Sequence, residues 1–299
     1  TGTLGRAIVD GLVNAGGFEV LVLTREANEA KSKELGARLV AVDYSNIDNV
    51  ATVLESSKVE TVVSTLGTVA GSDPEVALIK GADQSSVTKR YITSNWGINY
   101  PLKAIDFYPA AKQKIDAQKT LEKTSLEYTT VLNGVFLDYY VAPYVKSYMP
   151  AASIVIDLPA NAAAIPGSGD VPVVFTHSLD IARFTVALLT LPKWDKASYI
   201  IGDKITWNQF LKIAEEAKGT KFDIAYDPVE KLKRGEVTEL PTHRSIYPFY
   251  PKANLQIMMS GTGLLTEQGF FDLKPAHSLN DIFPEIRPRS VRELVEVAW

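Results

Sequence analysis

The 299-residue chain carries 31 Lys and Arg against 35 Asp and Glu, a net charge of −4; with its basic residues scattered, it does not read as a nucleic-acid binder. It has no cysteine, which excludes disulfides, zinc–thiolate sites and cysteine nucleophiles and fits a reducing, cytoplasmic setting. No apolar stretch reaches the roughly 18 residues of a membrane helix, and 46% hydrophobic with 22% charged residues is the balance of a globular enzyme of one large or two interlocked domains.

The chain opens on Thr1-Gly2-Thr3-Leu4-Gly5 and runs into an amphipathic helix, Arg6 to Ala15. A buried parallel strand is expected over Phe18 to Thr24, an almost continuous aliphatic run. Further strands follow at Arg38–Val42, Thr61–Ser64, Lys89–Thr93 and Tyr128–Leu132. Helical segments separate them at Ala27–Leu35, Ile47–Glu55, Pro74–Ser85 and Pro109–Lys123. Strands alternating with helices in this way indicate βαβ units and a Rossmann-type doubly wound parallel sheet. After Asn133 Pro and Gly become frequent, and helices return at Leu179–Leu189, Trp207–Lys218 and Val291–Trp299. The expected division is a dinucleotide-binding domain over 1–134, rejoined by about 173–203, and a smaller α/β substrate lobe over 135–299.

Gly2 and Gly5 have the spacing of the last two glycines of G-x-x-G-x-x-G. Glycine lets backbone approach a pyrophosphate closely, and the following helix N-terminus offers free N–H groups and partial positive charge. Gly2, Thr3, Leu4 and Gly5 are therefore candidate cofactor-binding residues. A Rossmann sheet needs a strand ahead of this loop, so a first strand is expected before Thr1. Counting that strand, the second ends Leu23-Thr24-Arg25, where an NAD site usually carries an acid. Arg25, helped by Lys31 or Lys33, favours the 2′-phosphate of NADP; the alternative is a solvated Arg at a helix start. Asp43 ends the third strand beside the expected adenine edge, and Ser64-Thr65-Leu66-Gly67 ends the fourth beside the ribose. The three His residues lie far apart, and no metal site is expected.

Two proton donors compete. Tyr108 and Lys112 form a Tyr-x-x-x-Lys pair with Ser94 upstream, the arrangement of short-chain dehydrogenases. Lys114 is the other candidate: it shares a helix face with Ala117, Gln118 and Leu121, whereas Lys112, Asp116, Lys119 and Lys123 make a solvated face. A Lys turned inward needs a partner, which a cofactor ribose and a substrate oxygen would supply. Both lysines exposed is the remaining alternative.

At these residues the chain resembles the isoflavone reductase and phenylcoumaran benzylic ether reductase family and its NmrA-like relatives among atypical short-chain dehydrogenases. Thr1 to Gly5 matches the second half of that family's glycine loop, and Arg25 its basic residue. Thr93-Ser94-Asn95-Trp96-Gly97 corresponds to its P-S-E-F-G, with Asn95 where the family has an acid. The family's catalytic Lys stands fourteen residues before the Tyr of a Y-T-x-V strand; from Tyr128-Thr-Thr-Val131 that count lands on Lys114. Asn133-Gly134-Val135-Phe136 matches the segment beside nicotinamide and substrate. The resemblance, closer to the fungal branch, implies an NADPH-dependent reductase of a small aromatic or conjugated metabolite, monomeric or homodimeric, with Lys114 serving the developing oxyanion. An NmrA-type redox sensor that binds dinucleotide without turnover, and a quinone or carbonyl reductase, are the rival readings.

Overall fold

The aliphatic runs of the first half become short parallel strands, and the amphipathic segments between them become the helices that cover them. The computed structural model describes residues 2–67, 71 and 73–299, and its packing divides them between two units. The first unit takes residues 1–96, 112–132 and 181–198; the second takes 97–111, 133–180 and 199–299.

The first unit runs α1 (Thr3–Ala15), β1 (Leu21–Thr24), α2 (Glu29–Leu35), β2 (Arg38–Ala41), α3 (Ile47–Ser56), β3 (Thr61–Val63), α4 (Asp73–Gln84), β4 (Arg90–Ile92), α5 (Ala111–Leu121) and β5 (Glu127–Leu132). β1 pairs with β2 in parallel, and β3, β4 and β5 form a second parallel ladder. Among the described residues no ladder connects β1 to β3. Side chains join the two pieces: Leu23 of β1 packs into the cluster of Val42, Val62, Ile79 and Tyr91. The first of these strands is shorter than its aliphatic run. It begins at Leu21, opposite Arg38 at the start of β2, and Phe18, ahead of it, is 37% exposed.

In the second unit β6 (Val135–Phe136), α6 (Asp138–Val141), β7 (Ile156–Asp157), β8 (Ala162–Pro166) and β9 (Pro172–Thr176) come first. The chain then rejoins the first unit through most of α7 (Ser178–Leu189) and β10 (Ala197–Tyr199), which extends the ladder beside β5. α7 lies against α1 at Gly11, where an added Cβ would stand 3.3 Å from Val186. Back in the second unit follow β11 (Asp203–Thr206), α8 (Trp207–Lys218), β12 (Asp223–Asp227), α9 (Val229–Lys233), α10 (His243–Ile246), α11 (Lys252–Glu267), α12 (Leu279–Ile282) and α13 (Val291–Ala298). Its strands form two three-stranded sheets, β11-β9-β6 and β12-β8-β7. The sixteen-residue α11 gives a weak periodic signal because its buried face includes Ser260, Gly261, Gly263 and Thr266. Small residues are needed there: a Cβ on Gly261 would stand 2.7 Å from the Phe107 carbonyl.

The second unit is centred on Tyr140, Phe175, Trp207 and Phe210. Phe175 meets Trp207 edge-on at 5.0 Å, and Tyr140 lies 4.8 Å from Phe210, separations at which aromatic pairs add to area burial. Trp207→Ala empties the middle of this cluster and is expected to cost about 3–5 kcal/mol. Val297→Ser, at a position 71% exposed, is expected to cost about 0.5 kcal/mol or less. Urea unfolding followed by circular dichroism measures both, and equal midpoints would contradict this account of the core.

Candidate active site

The candidate cofactor face of the first unit begins at α1. Gly2 caps that helix in extended backbone (φ −75°, ψ −177°), without a side-chain cap and with no acid in the first turn. The first N–H groups of the helix are thus left for an anion. Among the described residues, a Cβ on Gly2 would come no nearer than 4.0 Å, to the Thr65 carbonyl. Packing among the described residues therefore does not demand glycine there. Thr3 is exposed while Leu4 and Gly5 are buried. Thr1 lies outside the described residues.

Arg25 follows β1 and is exposed, as is Lys31 in α2. Neither has an ion-pair partner among the described residues. Asp43 stands exposed after β2 and accepts from the Ser45 N–H at 2.9 Å and the Ser45 hydroxyl at 2.6 Å. The Ser45 hydroxyl, then its N–H, hold the Asp43 carboxyl below its usual range.

The ends of β3 and β4 are tied through Glu75, which the sequence did not single out, together with the expected Ser64, Leu66 and Ser94. Glu75, in the first turn of α4, is 8% exposed. Its Oε2 accepts the Ser64 hydroxyl at 2.5 Å. Its Oε1 accepts from the Tyr91 hydroxyl at 3.1 Å, the Thr93 hydroxyl at 3.3 Å and the Ser94 N–H at 3.0 Å. The Ser94 hydroxyl donates to the Leu66 carbonyl at 2.7 Å, and the Trp96 indole N–H to the Ser64 carbonyl at 2.9 Å. Thr65 and Leu66 are half-buried and Gly67 is exposed.

Lys114 enters this network from α5. It is half-buried, and its ammonium donates to the Ser94 carbonyl. Ala117 and Leu121, on the same helix face, are 2% and 0% exposed. Burial pushes the Lys114 pKa below its ordinary 10.5, and the charge of Glu75 opposes that fall. Lys112 is exposed and pairs with Asp116 at 2.5 Å. Tyr108 precedes α5, so the helix does not set it one turn from Lys112. Its ring stacks on Tyr100 at 5.6 Å and 5°, its hydroxyl bonds to Tyr100 and Thr262, and burial raises its pKa.

Asn133, Val135 and Phe136 belong to the second unit. The N–H groups of Asn133 and Gly134 both donate to the Gly97 carbonyl, at 3.0 and 2.9 Å. Gly134 has φ +70°, and a Cβ there would stand 2.0 Å from the Val174 carbonyl, so only glycine fits. Among the described residues the buried Asn133 Oδ1 has no hydrogen-bond partner, and the same is true of Asn95 Oδ1 in the first unit. Val135 is buried, and Phe136 meets Tyr139 edge-on at 5.9 Å. Among the described residues no cluster of His, Asp and Glu is suited to a metal ion, and no helix is long and apolar enough to cross a membrane.

The NmrA-like family matches residues 1–292. Oxidoreductase BOA1 of Botryotinia fuckeliana (strain B05.10) is 35% identical over 292 residues, which span 96% of this chain and 93% of that protein. Phenylcoumaran benzylic ether reductase PT1 of Pinus taeda is 24% identical over 310 residues, 98% of this chain and 94% of that protein. Among solved structures, AtPrR2 with NADP+ and (+)pinoresinol aligns with a TM-score of 0.75 at 18% identity, over 100% of this chain and 96% of that one. The leucoanthocyanidin reductase–NADPH complex from Vitis vinifera aligns with a TM-score of 0.74 at 16% identity, over 98% and 94%. These structural likenesses establish the Rossmann-type parallel-sheet α/β fold. The near-complete family match and the 35% identical relative settle the lineage: the chain belongs to the NmrA-like family.

Proposed function

We propose that the chain is an NADP(H)-dependent reductase of a small aromatic or conjugated metabolite, with Lys114 as its proton-transfer group. The observation that carries this reading is the placement of Lys114: inward on α5, half-buried, and held by the Ser94 carbonyl. Lysines on a solvated face, such as Lys112, have no reason to be desolvated; a group that moves a proton does. The residues of the first unit fit the cofactor. The uncapped N-terminus of α1 suits a pyrophosphate, and the unpaired Arg25 with Lys31 suits a 2′-phosphate. The buried, unpartnered Oδ1 of Asn95 is an acceptor awaiting a donor.

When bound, NADPH supplies the hydride equivalent. The chain itself places and tunes a proton. The Ser94 carbonyl takes one of the three Lys114 N–H bonds, leaving the others for a substrate oxygen or a ribose hydroxyl. As an ammonium, Lys114 stabilises negative charge growing on that oxygen and can deliver a proton to it. What BOA1 and the phenylcoumaran benzylic ether reductase are called supports the reaction class and a small aromatic or conjugated substrate.

Turnover is measured as NADPH oxidation against a panel of enones, quinones and aryl ethers. Lys114→Ala is expected to lower kcat/KM by about a hundredfold or more, and Lys112→Ala to leave it unchanged. Equal losses in both variants would remove Lys114 from its role, and tight NADPH binding without turnover on any substrate would favour a dinucleotide sensor. The protonated ammonium is the active form, so the rate should fall as pH rises through a value below 10.5, the direction in which burial moves Lys114.

Arg25→Ala should weaken NADPH by about ten- to a hundredfold and leave NADH nearly unaffected, since a charge-assisted contact contributes about 1.5–3 kcal/mol. Calorimetric titration with both dinucleotides reads this, and equal weakening of the two would place the 2′-phosphate elsewhere.

A further inference from the structure

Glu75 performs no step of the reaction described above, yet its carboxylate sits at the foot of the group that does. A buried carboxylate is costly unless it is hydrogen-bonded and paired. Its four donors, the hydroxyls of Ser64, Tyr91 and Thr93 and the N–H of Ser94, are all uncharged. The compensating charge comes from across Ser94. That residue gives its N–H to Glu75 and receives the Lys114 ammonium on its carbonyl, so one residue spaces carboxylate from ammonium. We propose that Glu75 is the positioning residue of this site: its carboxylate, one residue away, holds the Lys114 ammonium seated on the Ser94 carbonyl. The inference rests on the reading of Lys114 as the proton-transfer group.

The titratable groups that face Glu75 come from three other elements: Tyr44 after β2, Tyr91 in β4 and Lys114 in α5. Burial, with the charge of Glu75 adding to it, pushes Tyr44 up to about 12 and Tyr91 well above its ordinary value. Lys114 moves the other way, lowered by burial and held up by Glu75. Both phenols are therefore neutral where Lys114 titrates, and Glu75 is the charge that Lys114 feels. Serine and threonine hydroxyls can rotate to follow an acceptor of either kind. A glutamine at this position would thus keep much of the hydrogen bonding and lose the charge, which separates electrostatics from scaffolding.

The test needs neither substrate nor cofactor. Lysines of the full chain are dimethylated with ¹³C-formaldehyde, and the Lys114 signal is assigned by its loss in Lys114→Arg and titrated by NMR. In Glu75→Gln, folded by circular dichroism, the Lys114 midpoint is expected to move down by about one pH unit, the smaller end of what a nearby opposite charge contributes, while Lys112 stays in place. A Lys114 midpoint unchanged in the folded variant would overturn the proposal. Should Glu75→Gln fail to fold, Glu75→Met carries the test in its place. The Lys114 midpoint is then expected about one pH unit below that of the parent chain, and no movement would be equally fatal. A chain that shows these shifts but turns over no substrate refutes the reductase reading alone; an active chain without them refutes the role of Glu75 alone.

Discussion

Ser94 is held by all three of its polar groups. Its N–H goes to Glu75, its hydroxyl to the Leu66 carbonyl, and its carbonyl to Lys114. Those bonds join the end of β4 to the first turn of α4, to the loop after β3 and to the inner face of α5. A buried strand end cannot leave such groups unsatisfied without a penalty of about 1–3 kcal/mol each. The loops at the carboxyl edge of the ladder are therefore fixed as a set, and that edge is where open α/β sheets take their ligands. The position of Lys114 follows from this constraint. Its ammonium is aimed because the carbonyl it binds is itself pinned from two directions.

Much of the first unit was legible because its strands are buried on both faces and therefore read as plain aliphatic runs. The run Thr61–Ser64 and the strand Tyr128–Leu132 were found within a residue of their observed limits, and α1 starts three residues earlier than its amphipathic pattern because the glycine loop itself enters the helix. Lys114 stood out through the contrast of two helix faces, with Ala117 and Leu121 on one and Lys112 and Asp116 on the other. Glu75 did not stand out. An Asp-Pro-Glu start is what an ordinary solvated helix N-terminus looks like. Only its contacts, from residues between 11 and 19 positions away, reveal that this acid is turned inward.

The second unit was harder for a different reason. Its strands β6 and β7 are two residues each, too short for alternation to register, and β8 is mostly alanine. The helix α11 hides its buried face behind Gly261 and Gly263, which lie close against Tyr108 and Leu232. Close backbone packing through small residues is specified by shape, and hydropathy periodicity carries little trace of it. The ring cluster at the centre of this unit is built from Tyr140, Phe175, Trp207 and Phe210, while Phe249, in the tail, stands 88% exposed.

On the proposed reading of Lys114 as the proton-transfer group, burial and Glu75 act on it in opposite directions. Burial alone would push the lysine toward the neutral amine, a poor partner for a developing oxyanion. A fully compensating carboxylate in direct contact would hold the proton too firmly and occupy the N–H groups a substrate needs. Placing the carboxylate one residue away, with the Ser94 N–H and carbonyl between, gives the ammonium an electrostatic partner without blocking it. The hydroxyls of Ser64, Tyr91 and Thr93 spread part of the carboxylate's charge, which weakens its hold further. Net lowering of the Lys114 pKa then survives, leaving an ammonium that gives up its proton more readily than a lysine in water. That balance is set by the distance and the neutral donors around one acid.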